Sequence, residues 1–312
     1  MNRPLPWHEE PWQRLRQRRE RGAMPHALML QGPAGLGKRD FSDRLQNALL
    51  CEACEDGNAC GHCRACRLLQ AGTHPDRYRV SLEERSDGVL RKEIVVQQIR
   101  VLAERLSKAS QFGGWQLAVI DPADAMNAAA ANALLKTLEE PGERRLLILV
   151  ADAPWRLPAT IRSRCHLVQF RLPEAQSAVA WLQSVGVADA DDALQAASGN
   201  PGLALRWFED GLLDERQRVG DDLRSLAAGQ GNAGAVAGAW ADEHAGQRLW
   251  FAASLVAEEL RQRAEGGRGM LQSRLSARGL SAWFTQANRA RTALDGPLRK
   301  DLLLLELLTA WR

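Results

Sequence analysis

The chain has 312 residues, 45% apolar and 25% charged, with a net charge of only +3, which suits about two or three globular domains with ample core. So even a charge balance argues against a surface built to coat DNA, and no stretch reaches the ~18 consecutive apolar residues of a membrane span. No apolar signal-like run opens the chain, so a cytoplasmic protein is expected; five of its six cysteines crowd between positions 51 and 66, which in that compartment points to a metal rather than to disulfides.

The first feature along the chain is a basic run, Arg14 to Arg21 (RLRQRRER), which reads as a solvated helix face. Ala27 to Leu30 is a short apolar run, followed at once by GPAGLGK, Gly32 to Lys38. Strand, glycine-rich turn and helix form the context of a phosphate-binding loop. Gly32, Gly35 and Gly37 would let backbone N–H groups close around phosphate oxygens, and Lys38 adds a positive charge. The next position, where a hydroxyl side chain would hold Mg²⁺, is Arg39. It offers no oxygen and repels the metal. Phosphate binding stays open, so ATP or ADP could be held here without hydrolysis.

Phe41, Leu45, Ala48 and Leu49 fall at helical spacing up to Leu50. Cys51, Cys60, Cys63 and Cys66 then follow as C-x8-C-x2-C-x2-C. The short x2 spacings turn successive thiolates toward one ion, and four thiolates complete tetrahedral Zn²⁺ with no vacancy for a substrate, so the zinc would be structural. Cys54 and His62 compete for a place in that set. Tyr78 to Leu82 reads as a strand, Ile94 to Leu106 as a helix, and Gly113-Gly114 as the turn before a third strand, Leu117 to Asp121.

An alanine-rich helix follows from about Asn127 to Leu138, then a strand from Leu146 to Val150 and a last strand over 166–170. Five strands alternating with helices predict a parallel sheet covered on both faces. Ligands of such sheets sit at the carboxyl ends of the strands, where both Gly32 to Lys38 and Asp121 fall. Asp121 is placed to hold Mg²⁺ through water, but Pro122 stands where a glutamate would activate the attacking water. A general base contributes ~10²–10⁴-fold, so little turnover is expected. Lys136 and Glu139 are spaced to pair at i,i+3, and His26 and His74, each beside a proline, read as structural histidines.

Leu172-Pro173-Glu174 marks a boundary. Short helices over 175–182, 190–197 and 203–208, with a turn at Gly199 to Gly202, predict a compact helical piece. Further helices are predicted over 212–226, 233–240, 247–265, 271–277, 281–295 and 297–311, and the Gly/Ala-rich Ala227 to Gly238 reads as a loosened connector.

ANALLKTLEEP (Ala131 to Pro141), TIRSRC (Thr160 to Cys165), the cysteine insertion after the glycine loop and the HAL–strand–GPAGLGK opening together resemble the bacterial clamp-loader ATPases of the AAA+ class. The resemblance is strong from residue 24 to about 210 and beyond that extends only to helical character. It implies an α/β P-loop (AAA+) parallel-sheet domain over 1–170 with a zinc module at 51–66, a small helical lid over 171–210, and an all-helical C-terminal collar over 211–312 that joins subunits in a ring. It also implies structural zinc on Cys51, Cys60, Cys63 and Cys66. The Ser-Arg-Cys motif maps onto Ser163, Arg164 and Cys165, and implies that Arg164 projects into a neighbour's nucleotide site. There a guanidinium can spread charge over a transferring phosphoryl group.

Arg39, Pro122, Gly202 in the place of a lid arginine, and Val150-Ala151-Asp152 without the family's threonine all depart from the hydrolysing pattern. They imply a non-hydrolysing subunit. Its implied partners are the ATP-hydrolysing gamma/tau and delta subunits, with the sliding clamp and primer-template DNA reached through the complex and no membrane. Any polymerase activity belongs to the holoenzyme. An active clamp-loader ATPase and a zinc-stabilised DNA-binding scaffold are the competing readings, the second disfavoured by the near-neutral charge.

Overall fold

Five short segments, three of them apolar runs, become the five strands of one parallel sheet. The computed structural model describes residues 5–85, 88–267, 269–294, 296 and 299–311. The chain divides into two units, Met1–Ser177 and Ala178–Arg312.

In the first unit the elements run α1 (Glu9–Glu20), β1 (Ala27–Gln31), α2 (Lys38–Leu50), α3 (Arg64–Gln70), β2 (Arg77–Val80), α4 (Val96–Ser107), β3 (Gln116–Ile120), α5 (Ala128–Glu139), β4 (Arg145–Ala151), α6 (Ala159–Arg162) and β5 (His166–Gln169). Every residue of β3 is buried, and every residue of β4 but its first, as a strand covered on both faces requires. Alternate side chains feed two cores. Ala118, Ile120, Leu147 and Leu149 pack with Ile99 and Leu102 of α4 and Leu134 and Leu138 of α5. Leu117, Val119, Leu146 and Ile148 pack with Phe41 and Leu45 of α2 and Trp12 and Leu15 of α1.

The strand order is β2-β3-β4-β1-β5. Because β1 lies between β4 and β5, the order reverses there, and a crevice opens outside the carboxyl ends of the strands. Gly32, Asp121 and Asp152 are the first residues after β1, β3 and β4, so adjacent strands deliver them to one edge. Asn127 caps α5, its Oδ1 accepting from the Ala130 N–H at 2.9 Å. Most boundaries in this unit fall within a residue of expectation, and two differ by two residues. The strand expected over 78–82 is β2 at 77–80, and α4 starts at Val96 because the Ile94 backbone is spent on a bridge to Met126.

The second unit opens within α7 (Ala175–Ser184) and continues as α8 (Ala190–Ala196), α9 (Pro201–Glu209), α10 (Leu212–Ala227), α11 (Ala233–Trp240), α12 (Ala245–Ala264), α13 (Ala277–Ala293) and α14 (Lys300–Thr309). One core gathers Leu182, Trp207, Leu223, Trp240, Leu249, Trp283 and Trp311. The helix expected over 271–277 does not form. Its backbone groups are taken by α12 instead: buried Glu259 accepts the Leu271 N–H at 2.7 Å, and Arg263 donates to the carbonyls of Leu275, at 2.7 Å, and Ser273. The next helix, expected from 281, begins at Ala277, capped by Ser276. The expected connector over 227–238 is also tighter than its composition suggests, because Ala233, Ala237 and Trp240 bury one face of α11. The expected helix ends at Asp295 and Pro297 lie outside the described residues. No described helix is long and apolar enough to cross a membrane.

Candidate functional site

The glycine loop is held in a shape that only glycines allow. Gly32 has φ +144°, and a Cβ there would lie 2.2 Å from the Phe170 carbonyl oxygen. Gly35 and Gly37 also have positive φ, +85° and +73°. The N-terminal segment roofs this loop. Trp7 Nε1 donates to the Leu36 carbonyl at 3.1 Å and His8 Nε2 donates to the same oxygen at 2.8 Å. The His8 ring stands edge-on to Phe41 and Phe170, and burial lowers its pKa despite the Leu36 hydrogen bond.

Lys38 is 2% exposed. Its Nζ donates to the carbonyls of Gly32 at 2.7 Å and Pro33 at 2.6 Å and pairs with Asp152 Oδ1 at 2.6 Å. Burial lowers its pKa against the pull of Asp152. Arg39 Nη2 pairs with Asp121 Oδ1 at 2.7 Å, its Nε donates to Asp121 Oδ2 at 3.0 Å, and Nη2 also reaches Asp152 at 3.3 Å. Arg79 grips Asp121 from β2 at 3.1 Å. Asp124 fixes the strand end by accepting the Ala153 N–H at 3.1 Å. Every charge of the pocket is therefore met from within the chain. The acid expected to carry Mg²⁺ instead carries two guanidiniums, and an ion-paired Asp121 beside Arg39 does not fit a metal.

Cys51, Cys60, Cys63 and Cys66 converge, with all four sulfurs within 4.8 Å of one another. Cys51 Sγ lies 3.5 Å from Cys60 Sγ and 3.9 Å from Cys63 Sγ, and Cys60 Sγ lies 4.0 Å from Cys66 Sγ. A Zn–S bond of ~2.3 Å in a tetrahedron sets sulfurs ~3.8 Å apart, so the group fits a metal ion of that kind. Backbone N–H groups of Cys60, Cys63 and Cys66 donate to the sulfurs of Cys51, Cys60 and Cys63. Against the cost of burial, such bonds draw the Cys63 pKa down to about 6, whereas burial and the Cys63 thiol push Cys66 up to about 12. The two competitors stand elsewhere: Cys54 receives Arg19 Nη1 at 2.9 Å, and exposed His62 faces the Cys60 carbonyl at 2.9 Å.

Arg164 lies two residues before β5, at the amino edge of the sheet, whereas the glycine loop follows β1 at the carboxyl edge. A five-residue strand at ~3.3 Å per residue separates these edges by roughly 16 Å. Its side chain is 38% exposed. Nη1 donates to the Thr160 carbonyl at 3.0 Å, and Nη2 pairs with Glu139 at 2.7 Å. The i,i+3 pair expected between Lys136 and Glu139 thus gives way to a longer-range one. Ser163 Oγ donates to Thr160 O at 3.2 Å. Cys165 is buried, and burial pushes its thiol up to about 12, so it packs rather than reacts. Sequence reasoning missed Asp152 as the partner of Lys38, as well as Arg79, His8 and Glu139. Only Asp152, at a strand's carboxyl end, carried a positional signal.

A family profile described as "DNA polymerase III, delta subunit" matches residues 7–174. DNA polymerase III subunit delta' of Pseudomonas aeruginosa is 37% identical over 239 residues, 75% of this chain and 70% of its own. The chain belongs to the DNA polymerase III delta' family. The delta' subunit of Escherichia coli K12 is 35% identical over 261 residues, 82% of this chain and 76% of its own. The DNA polymerase III tau subunit of Bacillus subtilis is 28% identical over 189 residues, 61% of this chain but only 32% of its own. These two delta' subunits thus match at higher identity and over more of both chains than this tau.

Proposed function

We propose that this delta' family member is a non-hydrolysing clamp-loader subunit that lends Arg164 to the nucleotide site of an ATP-hydrolysing neighbour. On this reading 1–170 is an AAA+ domain with a structural zinc on its four cysteines, 171–210 a lid and 211–312 a collar. The partners are gamma/tau and delta subunits, and the complex places the sliding clamp on primed DNA.

The observation that carries the reading is the Arg39–Asp121 pair, which sets a fixed cation where a hydrolysing site needs a mobile metal. Pro122 adds no proton acceptor next to it. Arg164 supports the second half: it is partly exposed and lies at the sheet edge opposite its own glycine loop. Gly32, Gly35, Gly37 and Lys38 leave ADP or ATP binding without turnover open to direct titration.

An arginine supplied in trans is worth ~10³–10⁵-fold at the site it serves. Where other sites of a ring still turn over, Arg164→Ala should therefore lower DNA-stimulated ATP hydrolysis of the reconstituted complex severalfold, with assembly and zinc content intact. Unchanged turnover rejects the lent arginine. Vigorous hydrolysis by the isolated chain rejects the non-hydrolysing reading in favour of a tau-like ATPase.

A further inference from the structure

The Arg164 guanidinium is paired within its own chain. Glu139 is the last residue of α5, and its carboxylate meets Arg164 Nη2 at 2.7 Å, while Thr160 at the start of α6 receives Nη1. A carboxylate at a helix C-terminus faces the negative end of the helix dipole and weakens the helix unless a cation answers it. Glu139 therefore brings no benefit to α5 by itself. Its partner is Arg164, drawn from a different element 25 residues on.

We infer that Glu139 is a placeholder anion. In the free chain it holds the Arg164 guanidinium at the surface, and on assembly it yields that guanidinium to the phosphate oxygens of a neighbour's nucleotide. The inference rests on the trans role proposed for Arg164 and adds a positioning residue to it. Two physical facts support an exchange. The pair is half-exposed, with the Arg164 and Glu139 side chains 38% and 50% accessible, so water and salt screen it and it is cheap to break. A phosphate also presents more charge and more acceptor oxygens than a carboxylate, and a guanidinium binds either as a fork. The placeholder keeps the long side chain ordered but lowers the net attraction between this face and phosphate until a stronger anion arrives.

The test uses the full chain reconstituted with its ATP-hydrolysing partner and delta subunits, clamp and primed DNA, with ATP turnover followed as the chain is titrated in. Glu139→Gln should lower the half-saturating concentration of the chain about three- to fivefold at low salt, the factor expected for losing one exposed ion pair. The turnover plateau should stay unchanged. The gain should fade as salt rises, and Glu139→Gln should do nothing in an Arg164→Ala background. Glu139→Ala, which removes the carboxylate without leaving an amide, should repeat the result, with zinc content and unfolding midpoint matching the parent chain. A lowered plateau, a raised half-saturating concentration or no change in either variant overturns the exchange while leaving the lent arginine standing. If Arg164→Ala itself leaves turnover untouched, the underlying reading fails instead, whatever Glu139 does.

Discussion

The Arg39 guanidinium clasps the Asp121 carboxylate from both sides, Nη2 to one oxygen at 2.7 Å and Nε to the other at 3.0 Å. That clasp makes the pocket testable one residue at a time.

Arg39→Thr removes the fixed cation and restores a hydroxyl at the position after the P-loop lysine. It should raise Mg²⁺-dependent ATP affinity by about tenfold, the equivalent of one modest charge contact, as read by calorimetry with and without the metal. Turnover should not rise, because Pro122 still supplies no base. Arg39→Ala should cost about 1 kcal/mol in stability: Asp121 keeps Arg79 as a partner, and the half-exposed guanidinium is already screened.

The four converging sulfurs predict one zinc ion per chain by elemental analysis. Cys51→Ser or Cys63→Ser should release it, and a chelator should lower the unfolding midpoint of the first unit. Cys54→Ser should leave metal content unchanged, since that sulfur faces Arg19 and not the cluster.

His8 gives the N-terminal roof a pH dependence of known sign. Its folded pKa lies below the usual 6.5, so the unfolded chain takes up the proton first. The stability it contributes is present above about pH 6.5 and is lost as the pH falls below that value. Thermal melts at about pH 7.5 and 5.5 should therefore diverge more for the parent chain than for His8→Gln, by at most about 1.4 kcal/mol for the pH unit below 6.5.

Glu259→Ala should cost about 2 kcal/mol, because it leaves the buried Leu271 N–H without its acceptor and takes from Arg263 the carboxylate it pairs with, while Arg263 keeps the Leu275 and Ser273 carbonyls. Amide exchange at Leu271 should accelerate with it. Unchanged exchange would mean that the 269–276 segment is held by packing alone.

Much of the first unit was legible in the sequence because its signals are local. Apolar runs mark β1, β3 and β4, and Gly32 to Lys38 and the cysteine spacing each lie within one short stretch. What escaped was set by side chains far apart along the chain. Nothing near Lys38 announces Asp152 as its partner, and the apolar spacing that suggested a helix at 271–277 could not anticipate that Glu259 and Arg263 would claim its backbone. Glu139 sat three residues from a lysine, and local spacing favoured the wrong cation. The tertiary pairing with Arg164 became readable only once α5 and α6 lay side by side.

Lys38, Arg39, Asp121 and Asp152 answer one another within the glycine-loop pocket. An incoming adenylate must therefore part those pairs before its phosphates meet a free cation. On the proposed non-hydrolysing reading, the tempo of any machine this subunit joins would be kept by its neighbours.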